Sequence, residues 1–186
     1  MKGICFKEQL FNAIIDGRKT MTRRIIKGTV PIGNWKETIK HARYKMGETV
    51  YLKEPYNDIH SNHRILYKYN DCEPSEYGYA KGFWENERFM PEIYARHFIQ
   101  ITDVKLERLR EISKVDCIKE GIREEWDFET PGYSNGLNYS KRKNVFLDNY
   151  HETPQKAFAD LIDKINGRGT WDKNPYVFVY EFKLLK

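Results

Sequence analysis

The sequence predicts an α+β fold: one domain built on a small, barrel-like mixed β-sheet with a few flanking helices and two inserted loop regions. Three observations carry this. A helical apolar stripe runs near each end of the chain, at Phe6, Leu10, Phe11, Ile14 and Ile15, and again at Ala157, Phe158, Leu161, Ile162 and Ile165. Other runs are rich in β-branched and aromatic residues, and the last of them, 176–184, places its aromatics on even positions only, as a core strand does. Two stretches, near 57–88 and 123–150, are polar and aromatic with turn signals and no sustained period, so they read as insertions.

Taken in order, residues 3–6 read as a short strand and about 7–16 as a helix that Gly17 stops. β-branched content then rises at Thr20, Thr22, Ile25 and Ile26, so a strand follows. Alternation puts Thr20, Thr22 and Arg24 on one face and Met21, Arg23 and Ile25 on the other. Lys19 falls in the turn, one parity away from Thr22. Residues 27–48 mix Gly, Pro and cations and read mostly as loop, with a short helix near 37–44. Residues 49–54 form a strand that Pro55 stops. The first insertion carries a strand at 64–69 and turn signals at Asn70-Asp71 and Gly78. Residues 96–109 read as a long strand whose apolar phase changes, from Ile99 and Ile101 to Val104 and Leu106, which requires a bulge or bend near Thr102-Asp103. Ser113 and Asp116 form a variant capping box, and Val115, Ile118 and Ile122 follow at helical spacing. This short helix ends at Gly121 and puts Glu120 in its last turn, facing the negative end of the helix dipole, which makes Glu120 of interest as an acid or base, with an exposed surface glutamate as the commoner case. The second insertion has turn signals at Pro131-Gly132 and Asn135-Gly136. Thr153 and Pro154 then start a helix that runs to Gly167, residues 166–175 around Trp171 read as loop, and the closing strand follows.

A chain of 186 residues with 40% hydrophobic and 15% aromatic content is globular rather than disordered. No run of 18 apolar residues is present, so no membrane-spanning helix is expected, and the first residues lack the apolar region and cleavage site of a signal peptide. Cys5, Cys72 and Cys117 are odd in number and far apart, which argues against a disulfide framework and for a reducing compartment, the cytoplasm. The net charge of +5 is unevenly spread: residues 1–53 hold 12 Lys and Arg against 4 Asp and Glu. That basic third provides a local field for an anion such as phosphate or nucleic acid, although a solvated basic surface would show the same imbalance.

The densest chemistry lies in Arg18-Lys19-Thr20-Met21-Thr22-Arg23-Arg24, four cations and two hydroxyls in seven consecutive residues. A threonine becomes a nucleophile when a base takes its proton, and a lysine that is desolvated or crowded by cations such as Arg18, Arg23 and Arg24 can serve as that base. A carboxylate such as Glu120 can orient the lysine or protonate a leaving amine. By residue type alone, a basic hairpin with two β-forming threonines is the commoner arrangement. His60, His63 and Cys72 fit no standard zinc spacing well, and Gly167-Arg168-Gly169 is too short for a phosphate loop. Trp35, Tyr44, Tyr51 and Tyr56, interleaved with cations, could stack on a base, with packing as the commoner use.

The string Gly17-Arg18-Lys19-Thr20-x-Thr22-x-Arg24 resembles the G-x-K-T-x-T-x-R signature of ASCH domains, which are PUA-like β-barrels. Gly47-Glu48-x-Val50-Tyr51-Leu52-Lys53-Glu54, the run from Arg96 to Leu109 with Ile112-Ser113 and Glu120-Gly121-Ile122, and Asn166-Gly167 with Trp171-Asp172-x-Asn174-Pro175 follow in the family's order, similar to its longer phage- and prophage-type members. The resemblance implies a PUA-like small mixed β-barrel with a cleft suited to RNA or a modified nucleoside, and no metal or cofactor. Characterised small bacterial members are amidohydrolases that deacetylate acetylcytidine. By that resemblance Thr22 is the nucleophile, Lys19 its base, Glu120 the residue that assists proton transfer to the leaving amine, and Arg24 the holder of substrate or oxyanion. Arg18, Thr20, Arg23, Arg24, Lys53, Glu54, Trp171 and Asn174, within the matching motifs, are the candidate substrate-binding residues. The other readings are a PUA-like RNA-binding module in which Lys19, Arg23 and Arg24 contact phosphate, and a ribonuclease using the same cations.

Overall fold

The computed structural model describes residues 1–59, 64–69, 84–127, 130–134 and 150–185. Its centre is a five-stranded mixed sheet of β1 (Lys2–Cys5), β3 (Thr49–Lys53), β6 (Phe98–Arg108), β10 (Tyr176–Leu185) and β2 (Met21–Ile25), in that spatial order. Only the β1–β3 pair is parallel. β10 lies between β6 and β2, and its residues from Val177 to Tyr180 are all buried, so both of its faces are covered there. The phase change in β6 is a bulge: the register passes from Glu181 opposite Asp103 to Phe182 opposite Ile101, so Thr102 is the extra residue.

Helix α1 (Glu8–Ile15) joins the two edge strands and buries Leu10, Phe11, Ala13 and Ile14, the face its spacing predicts. It ends where Gly17 takes φ +74°, in the left-handed region. α2 (Trp35–Lys40) begins two residues earlier than the sequence suggests, because the Asn34 side chain accepts from Lys36 N at 3.1 Å and caps it there. α3 (Lys114–Lys119) is capped by Ser113, whose hydroxyl accepts from Asp116 N at 3.1 Å. Its expected stripe is corrected: Val115 and Ile118 are exposed at 64% and 37%, while Cys117 and the capping residue Glu120 turn inward. α4 (Pro154–Asn166) starts on Thr153 as predicted and buries Ala157, Phe158, Leu161 and Ile162.

The supposed loop at 166–175 contains a short helix, α5 (Thr170–Lys173), set in place by Asp163, which accepts from Gly169 N at 2.9 Å and Trp171 N at 2.8 Å. In the first insertion β4 (Tyr56–Ile59) and β5 (Arg64–Tyr67) form an antiparallel pair. The second forms a small sheet of β7 (Arg123–Asp127), β8 (Thr130–Ser134) and β9 (Tyr150–His151). Pro131-Gly132 therefore lies in a strand, not a turn. Proline is tolerated there because, among the described residues, β9 pairs with Tyr133 and Ser134 and Pro131 has a ladder partner on the β7 side alone. The turn signals at Asn70-Asp71, Gly78 and Asn135-Gly136, and His60, His63 and Cys72, lie outside the described residues.

No closed barrel forms among the described residues; β1 and β2 remain the two edges of the sheet. The sheet nevertheless curls until these edges approach, since Arg24 Nη2 on β2 donates to Cys5 O on β1 at 2.9 Å. Side chains rather than ladder hydrogen bonds span this seam.

Candidate active site at the seam

Lys19 lies between α1 and β2, anchored by its N–H to Ala13 O at 2.8 Å. Its side chain runs inward beneath the C-terminal end of α3, leaving the residue 2% exposed. The ammonium donates to Met21 O and Glu120 O, both at 2.7 Å, and to Glu120 Oε2 at 2.8 Å. All three partners are acceptors, which matches the three protons of an ammonium and caps the helix end as a cation there should. Met21 O belongs to the peptide that leads into Thr22, so the ammonium sits against the backbone of the candidate nucleophile even though a regular strand would separate the two. Burial lowers the Lys19 pKa below the usual 10.5, outweighing the pull of Glu120 in the opposite direction. Gly121, at φ +100°, follows the carboxylate; a Cβ there would stand 3.6 Å from Lys19 Cβ and 3.4 Å from Leu10.

Arg23 shares a face of β2 with Met21, and its side chain is 0% exposed. One nitrogen, Nη2, donates to Glu107 Oε2 at 2.9 Å and Asp116 Oδ2 at 3.0 Å. The other, Nη1, reaches Glu120 Oε1 at 3.4 Å and Met21 Sδ at 3.1 Å. Burial pushes the guanidinium pKa down, but Glu120, Glu107 and Asp116 together outweigh it and raise it. The Glu120 carboxylate is thus held at both oxygens by two buried cations.

On the other face of β2, Thr22 is 5% exposed and stands opposite Tyr180 of β10. Arg24, two residues on, lies over the Phe6 ring at 5.0 Å, and Lys19 Nζ lies over the same ring at 5.7 Å. The buried Nε of Arg24 has no hydrogen-bond partner among the described residues. Tyr180 packs edge-on against Tyr44 at 5.3 Å, and its hydroxyl accepts from Arg43 N at 3.1 Å. Burial raises the pKa values of both tyrosines.

The fold therefore joins Lys19, Arg23 and Glu120 by direct contact, sets Arg24 over the same Phe6 ring as Lys19, and links Thr22 to the Lys19 ammonium through the Met21–Thr22 peptide. The other candidate binding residues are held differently. Arg18 is half-buried and pairs with Asp16 at 2.8 Å. Thr20 uses its backbone, N–H to Lys119 O and O to Phe182 N, both at 2.9 Å. Lys53 stands opposite Cys5 and donates to Arg88 O at 2.8 Å. Glu54 is fully buried in a two-pronged pair with Arg96, at 2.7 and 2.8 Å. Trp171 packs on Phe158 at 6.2 Å, and the Asn174 side chain accepts from Arg110 N at 2.8 Å, in a left-handed turn at φ +45°. Of the aromatics, Tyr44 and Tyr51 are core, Tyr56 packs on Tyr94, and Trp35 is 49% exposed.

Sequence reasoning did not find Glu107, nor Asp116 in any role beyond the cap, nor Phe6 and Tyr180 in any role beyond packing; Tyr44 it named only among the rings that could stack on a base. Their only signal is register: Glu107 lies opposite Val177, two residues from Val179, the partner of Arg23. Burial pushes the Cys117 thiol up to about 12, which makes it core rather than a nucleophile. Among the described residues, no three His, Cys, Asp or Glu side chains gather as metal ligands, and no helix is long and apolar enough to cross a membrane. No protein-family model, curated protein or solved structure matches the chain.

Proposed function

We propose that this is an ASCH-type, PUA-like enzyme that hydrolyses the amide of an acylated or otherwise modified nucleoside or nucleotide, with Lys19, Thr22 and Glu120 as catalytic residues and no metal. The observation that carries the reading is the Lys19–Glu120 pair, joined at 2.8 Å with side chains only 1% and 5% exposed, against the peptide that leads into Thr22. Such a pair contributes little stability that apolar packing would not, and a buried lysine of lowered pKa against the Met21–Thr22 peptide suits activation of the hydroxyl that follows it.

The reaction starts from the charged pair. Lys19 passes one proton to Glu120 Oε2, the acceptor it already touches, and becomes a neutral amine. Thr22 Oγ1 attacks the amide carbonyl carbon while its proton moves to Lys19. As the carbon–nitrogen bond breaks, Glu120 returns its proton to the leaving amine, and water then hydrolyses the acyl-threonine to free acid and threonine. Arg24, whose Nε has no partner within the described chain, supplies a donor for the oxyanion.

Burial weighs against the RNA-binding module and the ribonuclease. Both need Lys19 and Arg23 to meet phosphate, yet Lys19 is 2% exposed, the Arg23 side chain is 0% exposed, and both are committed to carboxylates. The test is incubation with acetylcytidine followed by chromatography. The wild type should release cytidine, with a loss of about 100-fold or more in Thr22→Ala and Lys19→Ala. No release, together with RNA affinity that falls steeply with salt, would replace this reading by the binding module.

A further inference from the structure

The site contains a cation that the proposed chemistry does not use. Arg23 is the deepest charged side chain of β2, and its fork reaches carboxylates from three places: Glu107 on β6, Asp116 within α3 and Glu120 at the α3 cap. Lys19 takes Glu120 Oε2 and Arg23 takes Oε1, so the two cations divide one carboxylate between them. A carboxylate held at both oxygens cannot rotate to offer the second oxygen to Lys19. Glu107 and Asp116 keep the guanidinium from sliding further toward Glu120, because their contacts at 2.9 and 3.0 Å are shorter than the 3.4 Å contact to Oε1.

From this geometry we infer that Arg23 is a positioning residue: clamped by Glu107 and Asp116, it fixes the Glu120 carboxylate so that Oε2 alone exchanges a proton with Lys19, and its charge sets how readily that exchange occurs. The inference rests on the amidohydrolase reading for its catalytic consequence, but the hold on Glu120 and Lys19 is a property of the protein without substrate. The charged groups that face Lys19 are Glu120 from the α3 cap and Arg23 and Arg24 from β2; Glu107 and Asp116 act on it through Arg23. The Phe6 ring, from the β1–α1 junction, covers the ammonium without adding a charge.

Two substitutions act in opposite directions. Arg23→Gln removes a repelling cation and releases the whole Glu120 charge to Lys19, so the ammonium holds its proton to higher pH. Glu107→Gln leaves Arg23 with one fewer anion, so Arg23 draws more on Glu120, and Lys19 loses its proton at lower pH. The experiment is a pH titration of the Lys19 side-chain nitrogen by NMR in the wild type and in both variants, beside the pH dependence of kcat on acetylcytidine. The expected result is an upward shift in Arg23→Gln and a downward shift in Glu107→Gln. The kcat profiles should move with them, and Arg23→Gln should lose on the order of tenfold in kcat at neutral pH with KM unchanged.

A Lys19 titration that stays put, or that moves the same way in both variants, overturns the inference, because loss of packing alone gives no opposed pair. Should Arg23→Gln fail to fold, the Glu107→Gln shift decides it: Glu107 is 26% exposed at its side chain and tolerates the change. Opposed titration shifts in a protein that leaves acetylcytidine intact would uphold the hold of Arg23 on Glu120 and overturn the proposed substrate instead.

Discussion

Lys19 carries most of the chemical meaning at the scale of single residues. Its ammonium has three acceptors and no spare proton, so it is a base only after Glu120 has taken one of them. Because burial lowers its pKa, the neutral amine becomes available before the usual 10.5. Glu120 must return that proton to the leaving amine, so kcat should hold level at neutral pH and fall as the proton is lost from the pair, with a midpoint below 10.5. A pH–rate profile from neutral to alkaline pH checks this; a rate that rises and levels off over that range would mean that Glu120 carries no proton to the leaving amine. Stability should change in the opposite direction and rise with pH, since the buried ammonium is disfavoured relative to the unfolded chain below the lowered value and that cost is relieved toward 10.5. At this scale the sequence named Lys19, Thr22 and Glu120 through a motif, but not their contacts. Glu107 is separated from Arg23 by 84 residues and Glu120 from Lys19 by 101, and no local pattern encodes either pairing.

Among elements, the turn after α3 does the most for the site. Glu120 caps the helix, offers its carbonyl and carboxylate to Lys19, and is followed by Gly121 at φ +100°. A side chain at 121 meets only ordinary contacts, 3.4 Å to Leu10 and 3.6 Å to Lys19, so the cost of Gly121→Ala is backbone strain, about 1–3 kcal/mol. Denaturant unfolding should show that loss, together with a reduced kcat from the displaced carboxylate. Unchanged stability would mean the turn relaxes freely and does not fix Glu120. Helices α1 and α4 and the bulge in β6 were legible because each obeys one simple period or one visible break in it. The stripe on α3 misled because two of its apolar positions, Val115 and Ile118, point outward while a thiol and a carboxylate fill the buried face. Strands β7 to β9 escaped notice because they are short, charged and interrupted by a proline that the one-sided ladder tolerates.

For the molecule as a whole, the curled sheet creates the site by leaving its edges unjoined. β1 and β2 approach without pairing, and Arg24, Phe6 and Lys19 occupy the gap that a closed ladder would have filled. The expectation of a small barrel captured the mixed sheet and its flanking helices but not this open seam, which depends on strand pairings remote in sequence. The excess of 12 Lys and Arg over 4 Asp and Glu in residues 1–53 also changes meaning, because Lys19 and Arg23 are withdrawn into ion pairs. For an uncharged nucleoside substrate, KM should accordingly be nearly flat between about 50 and 200 mM salt. A steep rise in KM over that range would point to phosphate contacts as the main source of affinity.

The central claim is that Thr22 forms a covalent acyl intermediate with Lys19 and Glu120 as its proton carriers. Its most direct test is rapid quenching of the protein during turnover of acetylcytidine, followed by mass mapping of the peptide that contains Thr22. The wild type should carry an acetyl group on Thr22, and Thr22→Ala should show neither acetyl nor turnover. Cytidine release that persists in Thr22→Ala, with no acetylated peptide in the wild type, would contradict it.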